Sequence, residues 1–373
     1  MLSSKDALLQ LVRLGIRTSK DAKISKDIDW ESVEALAERQ GLLGVVYDGL
    51  QKLRVESLGF RVSGKCSVDS LPSQVAWLRI LGKVMQEYEQ RYALYRKAVA
   101  DLADWYNAHG YRMMLLKGLA CGIDWPKPEH RPYGDIDIFL FGKQSEADAL
   151  MVQEYKVQGF KVDNSHHHHT VFQWQGFTVE NHYDFVNIHH HKSNVELEKL
   201  FKELSVDDSN SIDLGGVQAY LPSANLNALF LIKHLVSHFA SDKITLRQLL
   251  DWAFFVDKHH AEIDWNWLVE VLRKYHMKEF FDCVNAISVE DLGFDSSRFP
   301  YIQFNPVTKE RIQNEILNPE FSESQPNHMW KRIPFKYRRW KANEWKHKLC
   351  YNETMSSSFW SGVKNHLLKP ASI

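Results

Sequence analysis

The chain's 373 residues are more than one hydrophobic core usually holds, so two or three domains are expected. An apolar fraction of 44% and a charged fraction of 25% are ordinary for a globular protein, and a net charge of −1 excludes binding to a polyanion through overall charge. No run approaches the roughly 18 apolar residues of a membrane span. The first residues read as an amphipathic helix, not a signal core. Cys66, Cys121, Cys283 and Cys350 are far apart and form no CxxC pair, which predicts free, mostly buried thiols and a cytoplasmic setting.

The first hundred residues read as helical. In 29–53 apolar residues recur at three- and four-residue steps, with Asp29 as the N-cap. The stretch 71–110 predicts one or two long helices ended by Gly110. The pattern then changes. "YRMMLLKG" (111–118) predicts a buried strand and a tight turn, "LACGIDW" a short helix, "PKPEHRPYG" a loop and "DIDIFLF" a strand. A helix is predicted over 146–160, strands with turns at Asn164-Ser165 and Gln175-Gly176 over 161–187, and one more strand over 216–222. Helices resume at 223, capped by Ser223. The expected organisation is a helical region at 1–110, an α/β core at 111–222, a helical domain at 223–321 and a basic aromatic tail at 322–373.

Residues two apart in a strand share a face, so Asp135 and Asp137 project together, away from Ile136 and Ile138. Neighbouring carboxylates in a partly buried place repel, and one has to take up a proton unless a divalent cation is bound. The plainer reading is a strand end where both are solvated. Context favours the cation. Gly118, after Lys117, lets the backbone turn sharply beside a ligand, and amides in such a turn can hold phosphate. The segment 177–185 reads as a strand with Glu180, His182 and Asp184 on one face, so Glu180 offers a third carboxylate. These are the parts of a two-metal phosphoryl- or nucleotidyl-transfer site.

The order strand, glycine turn, helix, "DID" strand and a later acidic strand resembles the nucleotidyltransferase superfamily that includes DNA polymerase beta and the aminoglycoside nucleotidyltransferases. More closely, "LLKG", "RPYGDIDIFL", "VENHYDF", "IKHLVSHF" and "LRQLLDWAFF" look like the family of uncharacterised bacterial nucleotidyltransferases, over about 20–290. The resemblance implies an α+β fold, with a small mixed sheet between helical regions. It implies Asp135, Asp137 and Glu180 as catalytic ligands of two Mg²⁺ ions, with Mn²⁺ as a substitute, and NTP binding around Lys117 and Gly118. The implied reaction moves an NMP from the NTP to an acceptor, which is a small molecule, a protein or RNA. The turn lacks the Gly-Ser dipeptide of better-known members, so Lys117 takes the serine's role or none. The loop before Asp135 is long and proline-rich, and either carries Arg131 to phosphate or braces the strand. The other readings are a nucleotide- or RNA-binding protein on the same scaffold, and a zinc protein.

The zinc reading comes from His166–169, His182 and His189–191. Consecutive histidines on a strand alternate faces, no Cys or HExxH motif accompanies them, and the run is too short and embedded for a tag. His182 stands apart: it either contacts phosphate or a metal-bound water beside Glu180, or is a satisfied core histidine. His234 and His238 share a helix face, as do Arg247 and Asp251. Arg247 and Asp251 form either an intrahelical ion pair or contacts to phosphate and acceptor. The segment 327–348 interleaves Lys and Arg with tryptophans, which suits a polyanion, a membrane surface or a packed terminal helix.

Overall fold

The structure is a computed structural model that describes residues 3–24, 28–58, 71–189, 191–206, 210–300, 303–323, 326 and 328–354. Cys66, His190 and the tail beyond 354 lie outside the described residues. Helices α1 (Ser4–Gly15), α2 (Trp30–Arg39), α3 (Leu43–Leu58) and α4 (Leu71–Ala108) come first. Asp29 caps α2 by accepting from the Ser32 amide at 3.2 Å. The stretch before Gly110 is a single helix of 38 residues.

The sheet follows: β1 (Met114–Leu115), α5 (Leu119–Gly122), β2 (Ile136–Phe139), α6 (Gln144–Glu154), β3 (His169–Trp174), β4 (Phe177–His182), α7 (Lys192–Val206), β5 (Ser211–Asp213) and β6 (Gln218–Tyr220). Its order is β3-β4-β2-β1-β6-β5, with β2–β4 and β1–β6 parallel and the other pairs antiparallel. The strands predicted around 111–118, 135–141 and 177–185 are neighbours. The β3–β4 hairpin turns at Gln175-Gly176, both at positive φ as a tight two-residue turn requires. The chain then runs through α8 (Ala224–Ser241), α9 (Leu246–His259), α10 (Trp265–Lys274), α11 (Lys278–Ala286), α12 (Pro306–Leu317), α13 (Met329–Ala342) and α14 (Glu344–Cys350). The fold is α+β, a mixed sheet set among helices. No helix of the described residues is long and apolar enough to cross a membrane.

Strand alternation sends the two faces of the sheet into different cores. Ile136, Ile138 and Val179 pack with Tyr95, Leu102 and Tyr106 of α4 and with Ala147 and Met151 of α6. Phe139, with Phe185, joins a larger core to which α1–α3 and α8–α11 both contribute. Asp137 lies between Ile136 and Ile138 in sequence and therefore faces the α8 side. This is the geometry that the DID spacing predicts.

The helix α14 is docked, not free. The Lys346 and Glu315 side chains are 1% and 2% exposed and pair at 2.5 Å. The Lys346 ammonium also donates to the Asp242 carbonyl, and the Asn343 amide to the Ser241 carbonyl. Removing one member of a buried pair strands the other charge, whereas replacing both with apolar groups is often neutral. Lys346→Ala is expected to lower unfolding free energy by about 3–5 kcal/mol in a denaturant titration, and Lys346→Met with Glu315→Leu to recover most of it.

Candidate active site

A cleft of about 470 Å³ lies between the carboxyl-bearing face of the sheet and the helices α8 and α9. Lys117, Gly118, Arg131, Asp135, Asp137, Glu180, His234, Arg247 and Asp251 all line it. His182 stands behind them against Asp137. Thus residues scattered over 135 positions of sequence, from Lys117 to Asp251, converge on one cavity.

The parallel register of β2 and β4 sets Asp137 directly opposite Glu180, and Phe139 opposite His182. Asp137, Glu180 and His182 offer ligand atoms that all lie within 4.8 Å of one another. The Lys117 ammonium pairs with Asp137 Oδ1 at 2.6 Å. His182 Nε2 reaches Asp137 Oδ1 at 3.2 Å and Glu180 Oε2 at 3.5 Å. Asp135 precedes β2 by one residue and is exposed at the mouth of the cleft.

These contacts push the two aspartates in opposite directions. Burial favours the protonated form of Asp137, but the Lys117 charge and the His182 hydrogen bond outweigh it and hold this carboxyl far below the usual range. Asp135 has no such partner, and desolvation, then the Glu180 and Asp137 charges, push it upward. The repulsion expected from the DxD spacing is therefore carried by Asp135. Burial raises Glu180, but the His182 hydrogen bond and the Lys117 charge more than offset this and hold it low. Burial opposes charge on His182 too, yet its bonds to Asp137 and Glu180 leave its pKa raised.

Gly118 adopts φ 58°, a conformation that disfavours side chains. A Cβ there would meet the Tyr95 hydroxyl at 2.2 Å. That hydroxyl donates to the Asp135 carbonyl at 2.9 Å, so α4 braces both the turn and the aspartate strand. Nothing in the sequence around Tyr95 singles it out.

Arg131 is 3% exposed and makes a two-pronged bond to Asp251, Nε to Oδ1 at 2.8 Å and Nη2 to Oδ2 at 2.9 Å. Its Nη1 donates to the Pro132 carbonyl. Of the two roles read for Arg131, the geometry is that of a brace. The Trp125 indole also donates to Asp251, at 2.8 Å. Arg247 is less engaged, 3.5 Å from Asp251 with a side chain 28% exposed in the cleft. The His234 and His238 rings lie 4.3 Å apart between centroids with their planes tilted by 60°, and both line the helical wall. Burial lowers the pKa of each.

The histidine run is not all strand: β3 begins at His169, and 166–168 bend before it. Strand alternation therefore does not set the faces of residues 166–168. His168 and His169 approach each other at 4.4 Å between ring centroids. Burial, then the neighbouring imidazoles and the Lys117 charge, lower His168 to about 2. For His169 the value is about 4, where burial outweighs the opposing Glu180 charge.

The model of the family described as uncharacterised nucleotidyltransferase matches residues 26–290. No curated protein matches the chain. Among solved structures, an antigenic nucleotidyltransferase-like protein from Paracoccidioides brasiliensis is similar at 14% identity and a TM-score of 0.35, over 55% of this chain and 96% of that one. At that level of likeness nothing further follows.

Gly118→Ala is expected to destabilise the chain by roughly 1–3 kcal/mol, from backbone strain and overpacking against Tyr95. Adding Tyr95→Phe removes the clashing oxygen and should restore part of the loss in thermal melts. A variant as stable as wild type would show that the turn tolerates a side chain.

Proposed function

Because the chain belongs to the family of uncharacterised nucleotidyltransferases, we propose that this cleft moves an NMP from an NTP to an acceptor hydroxyl and releases pyrophosphate. One observation carries the reading: Asp137 and Glu180 are register partners on parallel strands, with Asp135 at the mouth and the Lys117-Gly118 turn in the same cavity. Hard oxygen donors in that arrangement suit Mg²⁺ better than soft or borderline ions. Asp135, Asp137 and Glu180 would hold two such ions, with Mn²⁺ as a substitute, and these would supply charge neutralisation and Lewis-acid polarisation at the phosphates.

The chain's own groups divide the remaining work. The Lys117 ammonium and the backbone at Gly118 face the triphosphate. Arg247 has a guanidinium partly free in the cleft and takes the phosphate contact, since Arg131 is committed to Asp251. Asp251 fixes Arg131 and so keeps two cations close together, which favours an anion beside them. Glu180 accepts the proton of the acceptor hydroxyl as its oxygen bonds to the α-phosphorus and the bond to pyrophosphate breaks. His182 orients Glu180 and Asp137 through Nε2. His234, on the helical wall, lies on the acceptor side.

The acceptor is a small molecule, a protein or RNA. A polyanion would meet α13, where Lys336 and Arg338 are exposed, and not Lys346, which is buried. Cys121, Cys283 and Cys350 are free and buried, which supports a reducing, cytoplasmic setting.

Calorimetry across the four NTPs tests the reading. Wild type is expected to bind one or more NTPs only with Mg²⁺, and Asp135→Asn/Asp137→Asn to lose that binding. Metal-independent binding unchanged in the double variant would instead favour a nucleotide- or RNA-binding protein on this scaffold. Once an acceptor is found, Glu180→Gln is expected to slow turnover by about 10²-fold or more, the range for a lost general base. A rate near wild type would remove Glu180 from proton transfer.

A further inference from the structure

The base of the β3–β4 hairpin sets two imidazoles for which the proposed reaction has no use, those of His168 and His169, beside His182. His168, His169 and His182 each present a ring nitrogen, and the three lie within 4.8 Å of one another. Their backbone is fixed on both sides. His169 and His182 are register partners across β3 and β4. The His168 carbonyl accepts from the Tyr183 and Asp184 amides at 3.0 and 3.1 Å.

The rings converge and do not stack. His168 and His169 meet at 86°, and each meets His182 at 51°. His169 is 7% exposed and His182 3%. The Nδ1 atoms of His168 and His169 are buried without a hydrogen-bond partner. A buried polar atom left without a partner destabilises the fold, and here two such atoms belong to adjacent converging rings. A cation held by their lone pairs removes that destabilisation.

We propose that His168, His169 and His182 form a three-imidazole site for a borderline divalent transition-metal ion of the Zn²⁺ class. Imidazole nitrogen suits Zn²⁺, Cu²⁺ or Ni²⁺ and is a poor match for Mg²⁺. With Zn–N bonds of about 2.0–2.1 Å, tetrahedral ligands sit about 3.4 Å apart, so modest ring rotation closes the set around an ion. Three protein ligands leave the fourth position for water. The site is distinct in chemistry from the oxygen donors of Asp135, Asp137 and Glu180, and it shares His182 with the group around Asp137. It draws on neither Asp135 nor Lys117.

The test uses the full chain, stripped with a chelator and then titrated with Co²⁺ while visible d–d absorption is followed. Bound Zn²⁺ is counted in parallel by elemental analysis. One ion per chain is expected, with a tetrahedral-type spectrum that survives excess Mg²⁺ and Asp135→Asn. His168→Ala and His169→Ala are expected to weaken uptake beyond the roughly 10–100-fold that accompanies loss of an outer partner alone. Metal-free melts of both variants check folding. Should His169→Ala unfold, the less buried His168 decides the matter. A wild-type chain that takes up neither ion overturns the site, and so does uptake that both histidine variants leave unchanged. Because Asp135→Asn is expected to lose Mg²⁺-dependent NTP binding yet keep Co²⁺, the two readings can fail separately.

Discussion

The pairing of β2 with β4 governs the rest of the cleft. Ile136 and Ile138 are held against α4 and α6, so Asp137 has to face α8. Once β4 is laid parallel with Val179 opposite Ile136, Glu180 has to stand opposite Asp137. A slip of one residue would turn every side chain of β4 to the other face, burying Glu180 in the apolar core and exposing Val179. The apolar side of the sheet thus enforces the arrangement of its charged side. Two carboxylates forced together in a desolvated place need compensation, and Lys117 and His182 supply it at Asp137. Asp135, one residue beyond the strand, is left to absorb the remaining repulsion.

Much of this is readable from the residues themselves. The "DIDIFLF" alternation fixes which side chains share a face, and Gln175-Gly176 marks the hairpin. The Lys-Gly pair marks a turn that only glycine accommodates easily. Helices with strong periodicity and clear caps, such as those opened by Asp29 and Ser223, are equally plain. Other elements are harder. β5 is three residues long, with two of them exposed, and offers no alternation to detect. α7 carries Leu197, Leu200, Phe201 and Leu204 at helical spacing, but it follows a histidine run that masks its start.

Roles that depend on distant partners are not encoded locally. Arg131 reads equally as a phosphate ligand or a brace until Asp251, 120 positions away, is placed against it. Tyr95 has no motif, and its importance lies in the space above Gly118. The same holds for the basic aromatic segment. Its composition cannot separate Lys346, sealed against Glu315, from exposed neighbours such as Arg338, which pairs with Glu323 on the surface. Charge counts describe a segment, whereas burial decides which charges a partner can meet.

The Arg131–Asp251 bond has a mechanical consequence. It stitches the loop before β2 to α9, and the Trp125 indole adds a second stitch on the same carboxylate. Prying the seam apart would strand a buried guanidinium and a buried carboxylate, a cost of about 3–5 kcal/mol for one partner lost. The aperture on this side is therefore set when the chain folds, not when a ligand arrives. What enters has to match a fixed gauge, and what leaves has to pass the same one.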